Sequence, residues 1–126
     1  MQRDFFHKSD GWLFYTLLCH GSFHKLKLSN LISIGSTLNH AVFTLEQING
    51  GMSRLEQDGF IELKNDRVYL TKKGKLFYKV HKKRGELCIS EQVRFSEIFS
   101  KIHLNTEVFV KDYFCADDYE KAIKNK

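Results

Sequence analysis

The sequence predicts a mainly α-helical fold that carries one small β-hairpin. Three observations lead there. Proline is absent from all 126 residues, so no residue forces a helix to break. Apolar residues recur at helical spacing through most of the chain. One stretch, Phe60 to Thr71, instead alternates with period two on either side of Asn65-Asp66, the pattern of two strands joined by a tight turn.

The first helix is expected over Gly11 to His20, after the N-cap types Ser9 and Asp10 and before Gly21. Leu13, Leu17 and either Phe14 or Leu18 share its buried face. Ser22 to Lys27 is a connector with room for a brief strand. A second helix is expected after Ser29, with Leu31, Ile34 and Leu38 inward and Asn39-His40 at its end. The third helix has the clearest start. Thr44 and Gln47 form a capping box, and Phe43 and Ile48 stand at the positions of a hydrophobic staple. Ile48, Met52 and Leu55 form its inward stripe, and Gly51 fits close packing against another helix. Gly59 follows at the position that favours a left-handed residue.

A two-residue turn at Asn65-Asp66 fixes the hairpin register. Leu63 then opposes Val68 and Ile61 opposes Leu70 on one face, with Glu62 opposite Tyr69 and Lys64 opposite Arg67 on the other. A slip of one residue would mix apolar and polar faces. Thr71 caps a fourth helix, Lys72 to Arg84, which Gly85 stops. Leu76, Phe77 and Val80 are expected inward, and Lys72, Lys75, Lys79 and Lys82 or Lys83 form a basic stripe on the opposite face. A fifth helix is expected within Leu87 to His103, carrying Val93, Phe95, Ile98, Phe99 and Ile102. Val108-Phe109-Val110 reads as a strand or a packed loop, and Asp117 to Lys126 as a last helix with Tyr119 and Ile123 at i, i+4.

The net charge of +5 is uneven along the chain. Residues 60–85 hold nine Lys or Arg against two acids, a local +7. Residues 44–59 and 86–126 each carry −2. The basic character therefore belongs to the hairpin and the helix after it, which keeps nucleic acid among the partners. The competing reading is a solvated face whose cations complement a helix C-terminus.

Other classes find little support. The longest charge-free run, Leu28 to Leu45, is too polar for a transmembrane helix, which needs about 20 apolar residues, and Phe5-Phe6 is too short for a secretory apolar region. Three widely spaced cysteines, Cys19, Cys88 and Cys115, fit free thiols in a reducing, cytoplasmic compartment; Cys88 and Cys115 are expected as small core residues. Cys19, His20 and His24 lack the spacing of a zinc site, so neither metal nor cofactor is expected. No nucleophile elbow, phosphate loop, zincin or dinucleotide motif occurs, and the chain reads as a non-enzyme. Phe5, Phe6, Trp12, Phe14 and Tyr15 read as core and as an N-terminal arm packed on it, ahead of a base-stacking platform.

Helix, helix, capped helix, tight hairpin, helix is the element order of a winged helix-turn-helix domain. Thr44 to Leu63 resembles that fold's third helix running into its wing. Tyr69-Leu70-Thr71-Lys72-Lys73-Gly74 resembles the Leu-Thr-x-x-Gly close of the wing in MarR- and PadR-like bacterial regulators. The resemblance implies a winged helix-turn-helix domain over residues 9–85 and a helical extension over 86–126. It also implies a transcriptional regulator that binds double-stranded DNA, with the third helix in the major groove and the wing on the backbone.

Position by position, it puts Asn49, Ser53, Arg54 and Gln57 outward on the reading helix. Lys64, Arg67 and Tyr69 stand on the wing, and Lys72, Lys73 and Lys75 follow it near the phosphates. Glu46 and Gly50 share the outward face. In those families helices outside the wing build the dimer, which implies a homodimer through residues 87–126; the alternative is that this segment folds back on its own domain. The third helix has one cation, Arg54, against Glu46, Glu56 and Asp58, where a base-reading helix normally carries several. The rival function is accordingly a protein-interaction module of the same fold that binds no DNA.

Overall fold

The computed structural model describes residues 4–124. Its elements are α1 (Lys8–His20), α2 (Leu28–Asn39), α3 (Leu45–Gln57), β1 (Ile61–Lys64), β2 (Arg67–Leu70), α4 (Lys72–His81), α5 (Cys88–Phe99) and α6 (Ala116–Lys124). The protein is thus mainly helical with one antiparallel hairpin. Among the described residues no helix is long and apolar enough to cross a membrane.

The hairpin has the register that the alternation requires: Ile61 pairs with Leu70, Glu62 with Tyr69, Leu63 with Val68 and Lys64 with Arg67. Asn65 and Asp66 both adopt positive φ, 54° and 61°, the backbone of a primed two-residue turn whose twist matches its strands. The capping box of α3 is formed in both directions. The Thr44 N–H donates to Gln47 Oε1 at 2.9 Å, and the Gln47 N–H donates to Thr44 Oγ1 at 3.0 Å. Phe43 and Ile48 are fully buried beside it.

The core is aromatic. Phe14, Phe60, Phe77, Phe95 and Phe99 surround one another with ring centroids 4.8–6.2 Å apart, an arrangement that adds edge-on attraction to area burial. Phe6 joins it edge-on through Phe60 and Phe99. Trp12 stacks on Phe43 at 3.6 Å and donates its indole N–H to the Gly35 carbonyl at 2.9 Å. The N-terminal arm is held by its backbone: the Phe6 N–H donates to the Ile102 carbonyl and the Leu104 N–H to the Asp4 carbonyl.

Several element boundaries and faces differ from expectation. Helix α1 begins at Lys8, and Asp10 lies inside it, accepting the His7 N–H at 2.9 Å. Helix α2 begins at Leu28, ahead of Ser29. Ser22 to Lys27 forms no strand; it is tied to the hairpin by the Leu26 N–H on the Asp66 carbonyl. Helix α4 ends at His81, three residues early, and Gly85 turns beyond it with φ 79°.

The inward face of α4 is also rotated. Leu76 and Val80 are 61% and 66% exposed, and Gly74, Phe77, Tyr78 and His81 face the domain. Gly74 sets this phase, because a Cβ there would lie 2.2 Å from the Phe60 carbonyl oxygen. Thr71 braces the same junction: its hydroxyl accepts the Gly74 N–H at 3.0 Å and donates to the Gly59 carbonyl. On α5 the buried face is Glu91, Gln92, Phe95, Ser96 and Phe99, leaving Val93 exposed. Here Gly11 decides: its missing side chain admits the α5 backbone, and a Cβ would sit 2.5 Å from Ser96 Cα. Cys88 and Cys115 are exposed, not core.

The segment after residue 86 folds back on the rest of the chain. Helix α5 makes the most extensive interhelical packing in the protein, against α1, and α6 packs on α2. Val108-Phe109-Val110 is a loop without strand pairing, in which Val108 is half-buried and Phe109 and Val110 are exposed and not packed. Residues 125 and 126, the expected end of the last helix, lie outside the described residues.

One buried charge is held by tyrosines. Glu91 accepts the Tyr15 hydroxyl at 2.6 Å and the Tyr78 hydroxyl at 3.4 Å. Burial first, then the bond to Glu91, holds the Tyr15 hydroxyl well above the usual tyrosine range, and burial with the Glu91 charge raises Tyr78. The folded state therefore grips these protons more tightly than the unfolded chain. Their contribution is complete below about pH 10 and is lost as pH rises past it. Thermal melts should show stability falling steeply above about pH 10, and Tyr15→Phe should flatten that slope. An unchanged slope would mean that Tyr15 does not govern the alkaline limit.

Candidate nucleic-acid interface

The hairpin and the first turn of α4 place six sequence-expected residues on one continuous stretch. Lys64 at the turn, Tyr69 on the polar face and Lys72 and Lys75 on α4 are exposed. The other two are tethers. The Arg67 guanidinium donates to the carbonyls of Phe23 at 2.6 Å and Ser22 at 3.5 Å, binding the hairpin to the α1–α2 connector. The Lys73 ammonium donates to the Asp58 carbonyl at 2.7 Å and lies 3.4 Å from the buried Asp58 carboxylate, over the Phe60 ring. It fastens α4 to the end of α3. Three lysines and a tyrosine are left exposed, alongside the exposed acids Glu62 and Asp66 of the hairpin.

Helix α3 departs from expectation. The face bearing Asn49, Ser53 and Gln57, expected outward, lies under an extended strap formed by residues 105–114. Asn49 and Ser53 are buried and Gln57 is half-buried. Each holds strap backbone. Asn49 Nδ2 donates to the Phe114 carbonyl at 3.0 Å, and Asn49 Oδ1 accepts the Phe114 N–H at 3.1 Å. Ser53 Oγ accepts the Lys111 N–H at 2.8 Å. Gln57 Nε2 donates to the Phe109 carbonyl at 2.6 Å, and Gln57 Oε1 accepts the Phe109 N–H at 2.9 Å.

Arg54 is committed elsewhere. Its Nε and Nη2 grip the two carboxylate oxygens of the fully buried Asp10, at 2.6 and 2.9 Å. Gly50 lies beneath that guanidinium; of the outward face only Glu46 is exposed.

The strap has further supports. The Tyr113 hydroxyl donates to Glu56, and burial with that bond pushes it well above the ordinary tyrosine range. Lys111 lies 3.6 Å from the same carboxylate. The Asn105 N–H donates to Asp58 Oδ1 at 2.8 Å. Sequence reasoning missed the strap because most of its bonds to α3 run through its backbone, which leaves no pattern of side-chain types, and the side chains that do reach α3, Tyr113 and Lys111, meet Glu56, far away in the sequence. The one available signal was the polar stripe Asn49, Ser53, Gln57 at i, i+4, i+8, which serves solvent, DNA and peptide backbone equally well.

No group of three or more His, Cys, Asp or Glu suited to a metal occurs among the described residues. No family model, curated protein or solved structure matches the chain.

Proposed function

We propose that this chain is a winged helix-turn-helix protein that grips duplex DNA through the cations of its hairpin and the start of α4. The carrying observation is the +7 concentrated in residues 60–85 together with the exposure of Lys64, Lys72 and Lys75 on that stretch. Cations concentrated on a hairpin and the helix that follows it are an electrostatic footprint of phosphate binding. Tyr69, exposed on the polar face of the hairpin opposite Glu62, offers a sugar or phosphate contact. Binding of this kind is steered and held by charge, so it is weak in sequence preference and sensitive to salt. A regulator role follows from the fold resemblance.

The test is titration of a labelled random-sequence duplex at rising salt. Three neutralised phosphates give a log K against log salt slope of about −2.7. Lys64→Ala, Lys72→Ala and Lys75→Ala together should remove most of that slope. Absence of binding at about 50 mM salt, where phosphate contacts are strong, would sink the reading.

A rival use of the fold has its own support. Leu76 and Val80 stand exposed one turn apart on α4, which suits a protein partner better than a phosphate backbone. Pairing of two copies through residues 87–126 has lost the inner faces of α5 and α6 to the chain's own core. Leu87, Ile89, Val93, Phe109, Val110 and Ile123 are the exposed large apolar residues of that segment left for it.

A further inference from the structure

We infer that the strap, residues 105–114, is an autoinhibitory cover that occupies the base-reading face of α3 by presenting backbone in place of adenine edges. The inference rests on the DNA reading proposed above and adds its regulation.

The chemistry is specific. Asn and Gln read adenine with a paired donor and acceptor: the amide N–H donates to N7 and the amide oxygen accepts from the N6 amino group. Asn49 and Gln57 make the same pair of bonds to one strap residue each, Phe114 and Phe109. In both cases a backbone C=O replaces N7 and a backbone N–H replaces N6. Ser53, between them, holds the Lys111 N–H. All three side chains that the resemblance assigns to the groove, Arg54 apart, are therefore satisfied by the chain itself.

The geometry fits a run of contacts. Asn49 to Gln57 spans about 12 Å of helix. Phe109 to Phe114 reaches at most about 17 Å when extended, so the strap follows the helix antiparallel with little slack. It is also only partly sealed. Phe109 is 70% exposed and Val110 is open to solvent. A cleft of about 730 Å³ opens between Val110, Asp112 and the start of α3. Its apolar anchors, Val108, Tyr113 and Phe114, are only partly buried. A segment held mainly by polar bonds, whose apolar side chains are exposed or only half-buried, belongs to the part of a structure that opens before the core does. Opening frees Asn49, Ser53 and Gln57 together.

Proline at positions 109 and 111 tests this without touching α3, because it deletes the N–H groups given to Gln57 and Ser53. Phe109→Pro/Lys111→Pro should bind an A·T-containing duplex about tenfold more tightly than the parent, the gain expected when a state populated about a tenth of the time becomes dominant. Asn49→Ala/Gln57→Ala added to that variant should abolish the gain. A second measurement needs no variant. In the parent protein, saturating duplex should accelerate hydrogen exchange at the Phe109, Lys111 and Phe114 amides while the α1 and α5 amides stay protected. Equal duplex affinity of parent and proline variant, or strap amides that stay protected in the bound protein, overturns the cover and leaves the wing reading standing. Absence of duplex binding by both proteins overturns the two together.

Discussion

Asp10→Ala is expected to lower folding stability by about 3–5 kcal/mol, the cost of breaking a buried ion pair from one side. The Asp10 carboxylate has no solvent exposure, and the Arg54 side chain is 12% exposed. Their two parallel bonds fix the guanidinium against α1. Removing the carboxylate strands a cation that water barely reaches, and it also frees the His7 N–H at the start of α1. Arg54→Ala should cost nearly as much, because it strands the anion.

The double variant Asp10→Leu/Arg54→Met should cost less than the two alanine variants summed, since no charge is then left unpaired. Urea unfolding of the four proteins reads this directly. A single-variant loss below about 1 kcal/mol, the range of exposed pairs, would show that water screens the contact. The same pair commits the Arg54 fork: its Nε and Nη2 are closed on Asp10.

The legible parts of this fold were local. The hairpin register followed from a period of two and a turn that admits one pairing. The capping box needed only residues 44 and 47, and Gly59 adopts the positive φ, 88°, that its position required. The faces of α4 and α5 were not legible, for a physical reason. Apolar residues do not mark the buried side here: these helices are phased by backbone contact at Gly74 and Gly11, and α5 buries Glu91, Gln92 and Ser96. Glu91 is tolerable inside because two tyrosine hydroxyls, 76 and 13 residues away, donate to it and the Arg94 guanidinium lies 3.9 Å away. Arg94 is a neighbour at i+3, but the tyrosines have no signature at short range.

The candidate site divides in the same way. Exposure of Lys64, Tyr69, Lys72 and Lys75 followed from local pattern. The engagement of Asn49, Ser53, Arg54 and Gln57 depends on residues 44 to 65 positions distant.

Phe99→Ala should destabilise the whole chain by about 3–5 kcal/mol, the usual cost of deleting a buried phenyl ring. Phe99 lies in α5, within the extension set apart by the fold resemblance, yet it is fully buried. Its ring touches Phe6 of the arm, Phe14 of α1, Phe60 before the hairpin and Phe77 of α4, at 4.8–5.3 Å. Four parts of the chain lose a neighbour at once, and Gly11 holds the α5 backbone so close to α1 that the gap cannot close from that side. The loss is a large share of the roughly 5–15 kcal/mol that holds a domain folded. Because the ring is shared, circular dichroism at several wavelengths and tyrosine or tryptophan emission should report one common, down-shifted transition. If α5 were instead an appendage, the variant would melt in two steps, the emission of Trp12 in α1 keeping the parent midpoint. That outcome would return residues 86–126 to the status of a separate unit.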